Sequence, residues 1–281
     1  QSPLYYWVNA LIAWPFSLFL SLPDAARIGN LFWVGTTLYA LYQAALTTLS
    51  NDDARVLPFL ALSAPGLMLS AHETQPDLAI MTGYALFFWG ASRLCFEKVS
   101  PGSLLTALGI GVTLLSGGLC ITLPLISVLL GLFLIKPRLR LNTLIALMLG
   151  LLIGFSWFIH AAAFGEPQTA NFADALFEAI WPVTTLRNLS ELPSATLSFV
   201  KLLAWATWPA WPIAAWTFWR RRLTFWHRET IIPLAVFFGA LAFDVMSVAP
   251  RPSKSLVLLM PMLLLATASV KTSEAQLRAE L

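Results

Sequence analysis

Charge is the scarcest feature of this sequence. Among 281 residues there are 17 Lys and Arg and 14 Asp and Glu, so charged side chains make up 11% of the chain, where a soluble domain carries about 25%. Histidine and cysteine are nearly missing as well, at three and two residues. Cys95 and Cys120 are too few for a disulfide framework and have no metal-ligand spacing. The phosphate-binding loop, the G-x-G-x-x-G fingerprint and the G-x-S-x-G elbow are all lacking, which argues against a nucleotide-driven pump and a soluble-type hydrolase. His72-Glu73 opens an H-E-x-x-H pattern, but Pro76 stands where the second histidine belongs, so a zinc protease helix fails. The sequence opens on Gln1 rather than Met and shows no signal-peptide pattern or basic n-region, so the chain reads as a piece of a longer protein.

What the sequence does have is apolar surface. It is 58% hydrophobic with 12 Trp and a mean hydropathy of +0.75. A chain of this size cannot hide that much apolar surface inside itself, because folding leaves a large area facing outward. The solvent is therefore a bilayer. A net charge of +3 could suggest nucleic acid, but the basic residues sit in short clusters between apolar runs, as in membrane-protein loops; no nucleic-acid partner is expected.

The runs predict an all-α, polytopic transmembrane bundle with about nine spans. They are Ile28–Leu49, Val56–Ala71, Leu78–Phe96, Leu104–Leu115, Leu119–Ile135, Leu144–Phe164, Leu197–Trp219, Ile231–Ala249 and Leu256–Val270. Ser116-Gly117-Gly118 reads as a tight hairpin, and no segment alternates like a barrel strand. The first run, Leu4–Leu22, either spans or lies at the interface; its Tyr5, Tyr6, Trp7 and Trp14 suit an interfacial helix. The expected organisation is a single transmembrane domain over 1–281. It comprises an interfacial outer-face helix (1–22), five spans (28–135), a span (142–164), an outer loop with an amphipathic helix around Phe172–Glu178 (165–195), three spans (196–270) and a cytoplasmic tail (271–281).

Lys and Arg set the orientation. Arg55, Arg93, Lys98, Lys136, Arg138, Arg140, Arg220, Arg221, Arg222, Arg228, Lys271 and Arg278 fall on one side, and Arg27, Arg187, Lys201, Arg251 and Lys254 on the other. The richer set belongs in the cytoplasm. His72–Asp77 and Arg251–Lys254 then face outward, in a cytoplasmic (inner) membrane protein whose active side points out. Cys95 and Cys120 fall near opposite faces and are not expected to pair.

Few residues can carry chemistry. Asp77 follows Pro76 at a helix start, where the helix dipole stabilises a carboxylate by about 0.3–1 kcal/mol; the alternative is a carboxylate facing a polar cavity at the membrane boundary. His72 and Glu73 share its loop. Asp244 lies inside an apolar run about one turn from its outer end, where it either snorkels or meets a partner such as Arg251 or Lys254. His160 reads as a packed interfacial residue. Trp205, Trp208, Trp211, Trp216 and Trp219, with Pro209 and Pro212, read as belt anchors and a proline kink.

The order of several short motifs resembles the bacterial glycosyltransferase family 39, related to dolichyl-phosphate-mannose protein mannosyltransferases and lipid A aminoarabinose transferases. Gln1-Ser2-Pro3-Leu4-Tyr5-Tyr6-Trp7 is similar to its K-P-P-L-Y-Y-W segment and Ala25-Ala26-Arg27 to its A-A-R-L-P. Thr74-Gln75-Pro76-Asp77 sits where the family has an aspartate opening a helix. Leu115-Ser116-Gly117-Gly118 falls at its L-T-K-G-P turn, and Ser247–Pro261 resembles its S-x-x-K-x-P-x-Y-x-L-P-x-x-P region. The resemblance implies a GT-C fold and transfer of a sugar from a polyprenyl-phosphate donor, with inversion, at the outer face of the cytoplasmic membrane. It makes Asp77 the catalytic carboxylate, with His72, Glu73, Asp244, Arg251 and Lys254 as substrate-binding candidates. It implies a lipid-linked sugar donor and membrane lipid as partners and no cofactor, with a divalent metal left open; the acceptor is a lipid, a protein or a glycan. Gln1 and Gly117-Gly118 stand where the family has lysines, and no Tyr follows Lys254. The family's principal acidic residue maps before Gln1, so the 281-residue piece alone is expected to lack transfer activity. A secondary transporter or flippase and a non-catalytic scaffold derived from a transferase are the alternative readings.

Overall fold

The computed structural model describes residues 3–97, 99–164, 200–220, 227–246 and 256–280. All its described elements are helical. In order they are α1 (Leu4–Phe16), α2 (Leu22–Leu46), α3 (Asn51–Ala54), α4 (Val56–Leu62), α5 (Pro65–His72), α6 (Asp77–Phe96), α7 (Val99–Gly117) and α8 (Leu119–Ile135). A 3-10 turn at Pro137–Leu139 leads into α9 (Arg140–Phe164), followed by α10 (Ala210–Arg220), α11 (Ile231–Met246) and α12 (Leu259–Glu280).

α6 is the axis of the bundle. It packs between α2 and α7, α7 packs on α9, and α12 packs against α10. Tyr84, Phe87 and Phe88 of α6 are fully buried. α7 approaches α6 almost backbone to backbone. A Cβ on Gly109 would lie 2.5 Å from the Phe87 amide nitrogen, and one on Gly102 2.5 Å from that of Leu94. Within a bilayer, helices gain from packing rather than from expelling water, so small residues at the contact set how close they come. Large apolar side chains cover the outside, among them Phe59, Leu141, Leu152 and Trp216, as a protein surrounded by lipid requires.

α1 reverses the soluble pattern. It buries Tyr5, Asn9 and Ala13, spaced four apart on one face, and exposes Leu11 and Trp14. Its 13 residues reach about 20 Å, short of a hydrocarbon core of about 30 Å.

Several boundaries differ from the sequence reading. α2 begins at Leu22 rather than Ile28, because Pro23 sits in its first turn with Asp24 beside it, so the expected link at Asp24–Arg27 is already helical. The expected span Val56–Ala71 is a bent pair. Ala64, extended ahead of Pro65, breaks it, and the two parts meet at 59°. The expected Ser116–Gly118 hairpin contracts to one residue, Gly118, at φ 79°. The run Leu197–Trp219 is interrupted by a turn at 207–209. α12 continues to Glu280, so a helix runs through the segment expected as a tail. Among the described residues, Asp77–Phe96, Val99–Gly117 and Pro137–Trp157 are long and apolar enough to cross a membrane by themselves, and the bent pair adds a fourth if it counts as one span. That is fewer than the nine expected.

Candidate active site

α1, the start of α2 and the α5–α6 loop meet at the end of the bundle that carries Asp77. Their meeting point is a closed polar knot. Asn30 of α2, which is 1% exposed, makes four hydrogen bonds. Its Nδ2 donates to the Ala71 and Glu73 carbonyls, both at 3.0 Å. Its Oδ1 accepts from the Tyr5 hydroxyl at 2.7 Å and the Asn9 amide at 3.2 Å. Asn9 Oδ1 in turn accepts from the Trp33 indole at 2.8 Å, and the Tyr5 and Trp33 rings stack with centroids 6.3 Å apart. Two donors and two acceptors exhaust what an amide offers, so Asn30 is fully satisfied and ties the loop before Asp77 to α1. α1 comes this close because residue 29 is glycine: a Cβ there would lie 2.7 Å from Asn9 Cγ.

Tyr5 is a phenol held neutral. Burial pushes its pKa from 10.0 up to about 12, an Asn9 hydrogen bond offsets part of that, and the charges of Tyr6 and Asp77 add to it. The last contribution places the Asp77 carboxylate within electrostatic reach of the Tyr5 hydroxyl.

Asp77 is buried at 7% exposure. Among the described residues, no hydrogen bond and no ion pair holds its carboxylate, so it does not bond to the free amides of α6 as a simple helix-start carboxylate would. Glu73 is near enough to add like charge. An ionised carboxylate withdrawn from water with no partner is costly, and such groups mark sites where a ligand completes the set.

Beside this knot lies a cavity of about 510 Å³, within the usual range for ligand pockets. Tyr5, Tyr6, Asn9, Ala10 and Ala13 of α1 line one side, and Leu22, Pro23, Ala26 and Arg27 of α2 the other; His72 and Thr74 close it. Its walls are mostly apolar and its charged edge is cationic. Arg27 Nη1 bonds Asp24 Oδ1 at 3.1 Å, and both side chains are more than half exposed, so solvent screens the pair and leaves it worth at most about 1 kcal/mol. The exposed His72 has Nδ1 2.7 Å from the Met68 carbonyl. That oxygen can only accept, so the proton sits on Nδ1 and Nε2 is left for a ligand.

The structure thus gathers three of the predicted residues, His72, Glu73 and Asp77, at one end. Arg251 and Lys254 lie outside the described residues, as does Phe172–Glu178. Asp244 falls near the C-terminal end of α11 and His160 near that of α9, with side chains outside the described set. Among the described residues no group of three or more His, Cys, Asp or Glu could hold a metal. The sequence shows Arg27 as an outer-side cation and as part of a motif but not as a cavity residue, and it gives Asn9 and Asn30 no role. Two asparagines inside apolar runs were the available signal, since a polar side chain at that depth needs partners.

No protein-family model matches this chain, and no curated protein does. In three dimensions the chain is similar to the crystal structure of ArnT from Cupriavidus metallidurans bound to undecaprenyl phosphate, with a TM-score of 0.73 and 16% sequence identity. The match covers 96% of this chain and 50% of that one, so the chain spans about half the length of the ArnT chain. The likeness shows the architecture: an all-α membrane fold of the GT-C type.

Proposed function

We propose that this chain belongs to a membrane glycosyltransferase that moves a sugar from a polyprenyl-phosphate donor to an acceptor hydroxyl at the outer face of the cytoplasmic membrane. The observation that carries the reading is an apolar cavity with Arg27 and His72 on its edge, together with the unpaired, buried Asp77, which does not line the cavity but acts electrostatically on Tyr5 in its wall. An isoprenoid phosphate needs that combination of a greasy wall and a cationic rim. ArnT, similar in fold, was crystallised with such a lipid.

In the reaction, the acceptor oxygen attacks the anomeric carbon as the carbon–oxygen bond to the phosphate breaks, inverting the centre. The acceptor proton passes to the carboxylate of Asp77. The electron pair of the broken bond stays on the phosphate, where Arg27, with Arg251 and Lys254, offsets the added charge. His72 and Glu73 contact the sugar or the acceptor, and Asp244 is a further substrate-binding candidate. α1 lies at the interface, its exposed Leu11 and Trp14 in lipid.

A transfer assay with a lipid-linked sugar, run on the full-length parent protein, tests this. Asp77→Asn keeps the size and hydrogen-bonding shape but cannot take a proton at neutral pH. We expect transfer to fall by about 10²–10⁴-fold with donor binding retained. Unchanged transfer in Asp77→Asn would remove the carboxylate from the reaction.

A further inference from the structure

The end of the bundle opposite Asp77 gathers cations, two of which are not ion-paired to any described carboxylate. Lys136, which follows α8, places Nζ 5.2 Å from the centre of the Phe96 ring. Arg228, ahead of α11, places its guanidinium carbon 5.0 Å from the same centre, and its Nη2 donates to the Phe96 carbonyl at 3.4 Å. Arg93 sits one turn earlier on α6, on the same face as Phe96. Its Nε is 3.4 Å from Glu97 Oε2 but is shut from solvent without a hydrogen bond. Glu97 therefore serves Arg93. Neither Lys136 nor Arg228 is ion-paired to any described carboxylate.

Three chain segments far apart in sequence thus converge on one helix end, held by a ring and one carbonyl. The carbonyl end of α6 accounts for one cation. It does not account for a second cation on the same ring, which calls for an anionic acceptor. The depth tells which acceptor. Phe96 closes a candidate span of 20 residues and Pro137 opens another, so the cluster sits where spans of about 30 Å leave the hydrocarbon, at the level of lipid phosphates. Leu134 and Ile135, directly before Lys136, are 70% and 66% exposed and offer a surface for acyl chains.

We propose that Lys136 and Arg228 form a binding site for the headgroup phosphate of an anionic phospholipid, at the bundle end opposite the Asp77 cavity. The phosphate oxygens accept from the Lys136 ammonium and the Arg228 guanidinium, and the lipid tails run along Leu134 and Ile135. Basic pockets between membrane helices bind anionic headgroups in this way.

Native mass spectrometry of the purified protein, titrated with phosphatidylglycerol or phosphatidylcholine, tests the site. The wild type should retain phosphatidylglycerol in preference to phosphatidylcholine. Lys136→Gln/Arg228→Gln should weaken that retention about thirtyfold, as two cations each worth about fivefold at a membrane surface are removed. Arg138→Gln/Arg140→Gln takes the same charge from the same link outside the cluster and should change retention less than about twofold. Lys136→Arg/Arg228→Lys should keep it, and Lys136→Gln alone supplies the comparison if the double variant does not fold. Equal losses in the cluster and control variants would overturn the site as diffuse surface charge. Equal retention of the two lipids, or full competition by glycerol phosphate, would overturn the lipid assignment.

Discussion

Asn30 has both amide hydrogens on loop carbonyls and its amide oxygen shared between two α1 donors, so each isosteric change breaks a defined half of the knot. Asn30→Asp keeps the acceptors for Tyr5 and Asn9 but turns a carboxylate toward the Ala71 and Glu73 carbonyls. Loss of two buried donations should cost about 2–3 kcal/mol. It should appear as a lower melting temperature in detergent and faster amide exchange across 72–76, with α7 and α9 unaffected. Protection of 72–76 equal to wild type would show that Asn30 does not hold the loop. Tyr5 makes a pH prediction. Its folded-state pKa of about 12 lies above the ordinary 10.0, so the folded state holds this proton more tightly than the unfolded chain. The stability tied to it is complete below pH 10 and is lost as pH rises through 12. In an ultraviolet titration the wild type should show a tyrosine ionising near pH 12 that Tyr5→Phe lacks, and the variant should lose less stability across that interval.

Among the elements, the close contact of α6 and α7 gives the sharpest expectation. Gly109→Val would put side-chain atoms against the Phe87 amide nitrogen, already 2.5 Å from where a Cβ would stand. Overpacking of this kind costs about 1–3 kcal/mol and at times more. Gly131 has no atom within 4 Å of a hypothetical Cβ, so Gly131→Val meets no clash and should gain about a few tenths of a kcal/mol, because valine is a better helix former than glycine. Thermal unfolding of the two variants checks the contrast, and an equal loss would deny the close approach. Hydropathy made the apolar elements legible, because in lipid every backbone polar group must close within a helix. The breaks were less so. Val56–Ala71 reads as one run because every residue suits lipid, whereas the bend comes from the missing amide of Pro65. The site was legible at its edge: Pro76-Asp77 marks a helix start, and His72 and Glu73 come with it. Arg27 was not, because an arginine three residues after an aspartate looks like a surface pair until α1 closes a cavity over it.

At the scale of the molecule, two poles lie about 30 Å apart along the 20 residues of α6. One holds Asp77, the α1 knot and the cavity; the other holds Lys136, Arg228 and Phe96. The surplus of Lys and Arg at the second pole predicts that it faces the cytoplasm. In a background without Cys95 and Cys120, a membrane-impermeant thiol reagent added outside cells should label Glu73→Cys and spare Arg138→Cys; the reverse pattern would invert the orientation.

A cavity between α1 and α2 that holds an isoprenoid phosphate should bind one in the purified protein. Undecaprenyl phosphate and the uncharged undecaprenol should be compared on wild type, on Arg27→Gln and on Ala13→Trp, which fills the cavity from the buried face of α1. The phosphate should bind more tightly than the alcohol. Arg27→Gln should cost about tenfold for the phosphate and little for the alcohol, the loss expected of one charge-assisted hydrogen bond. Ala13→Trp should weaken both. Equal affinity for phosphate and alcohol in the wild type, or phosphate binding untouched by both variants, would contradict an isoprenoid-phosphate site there.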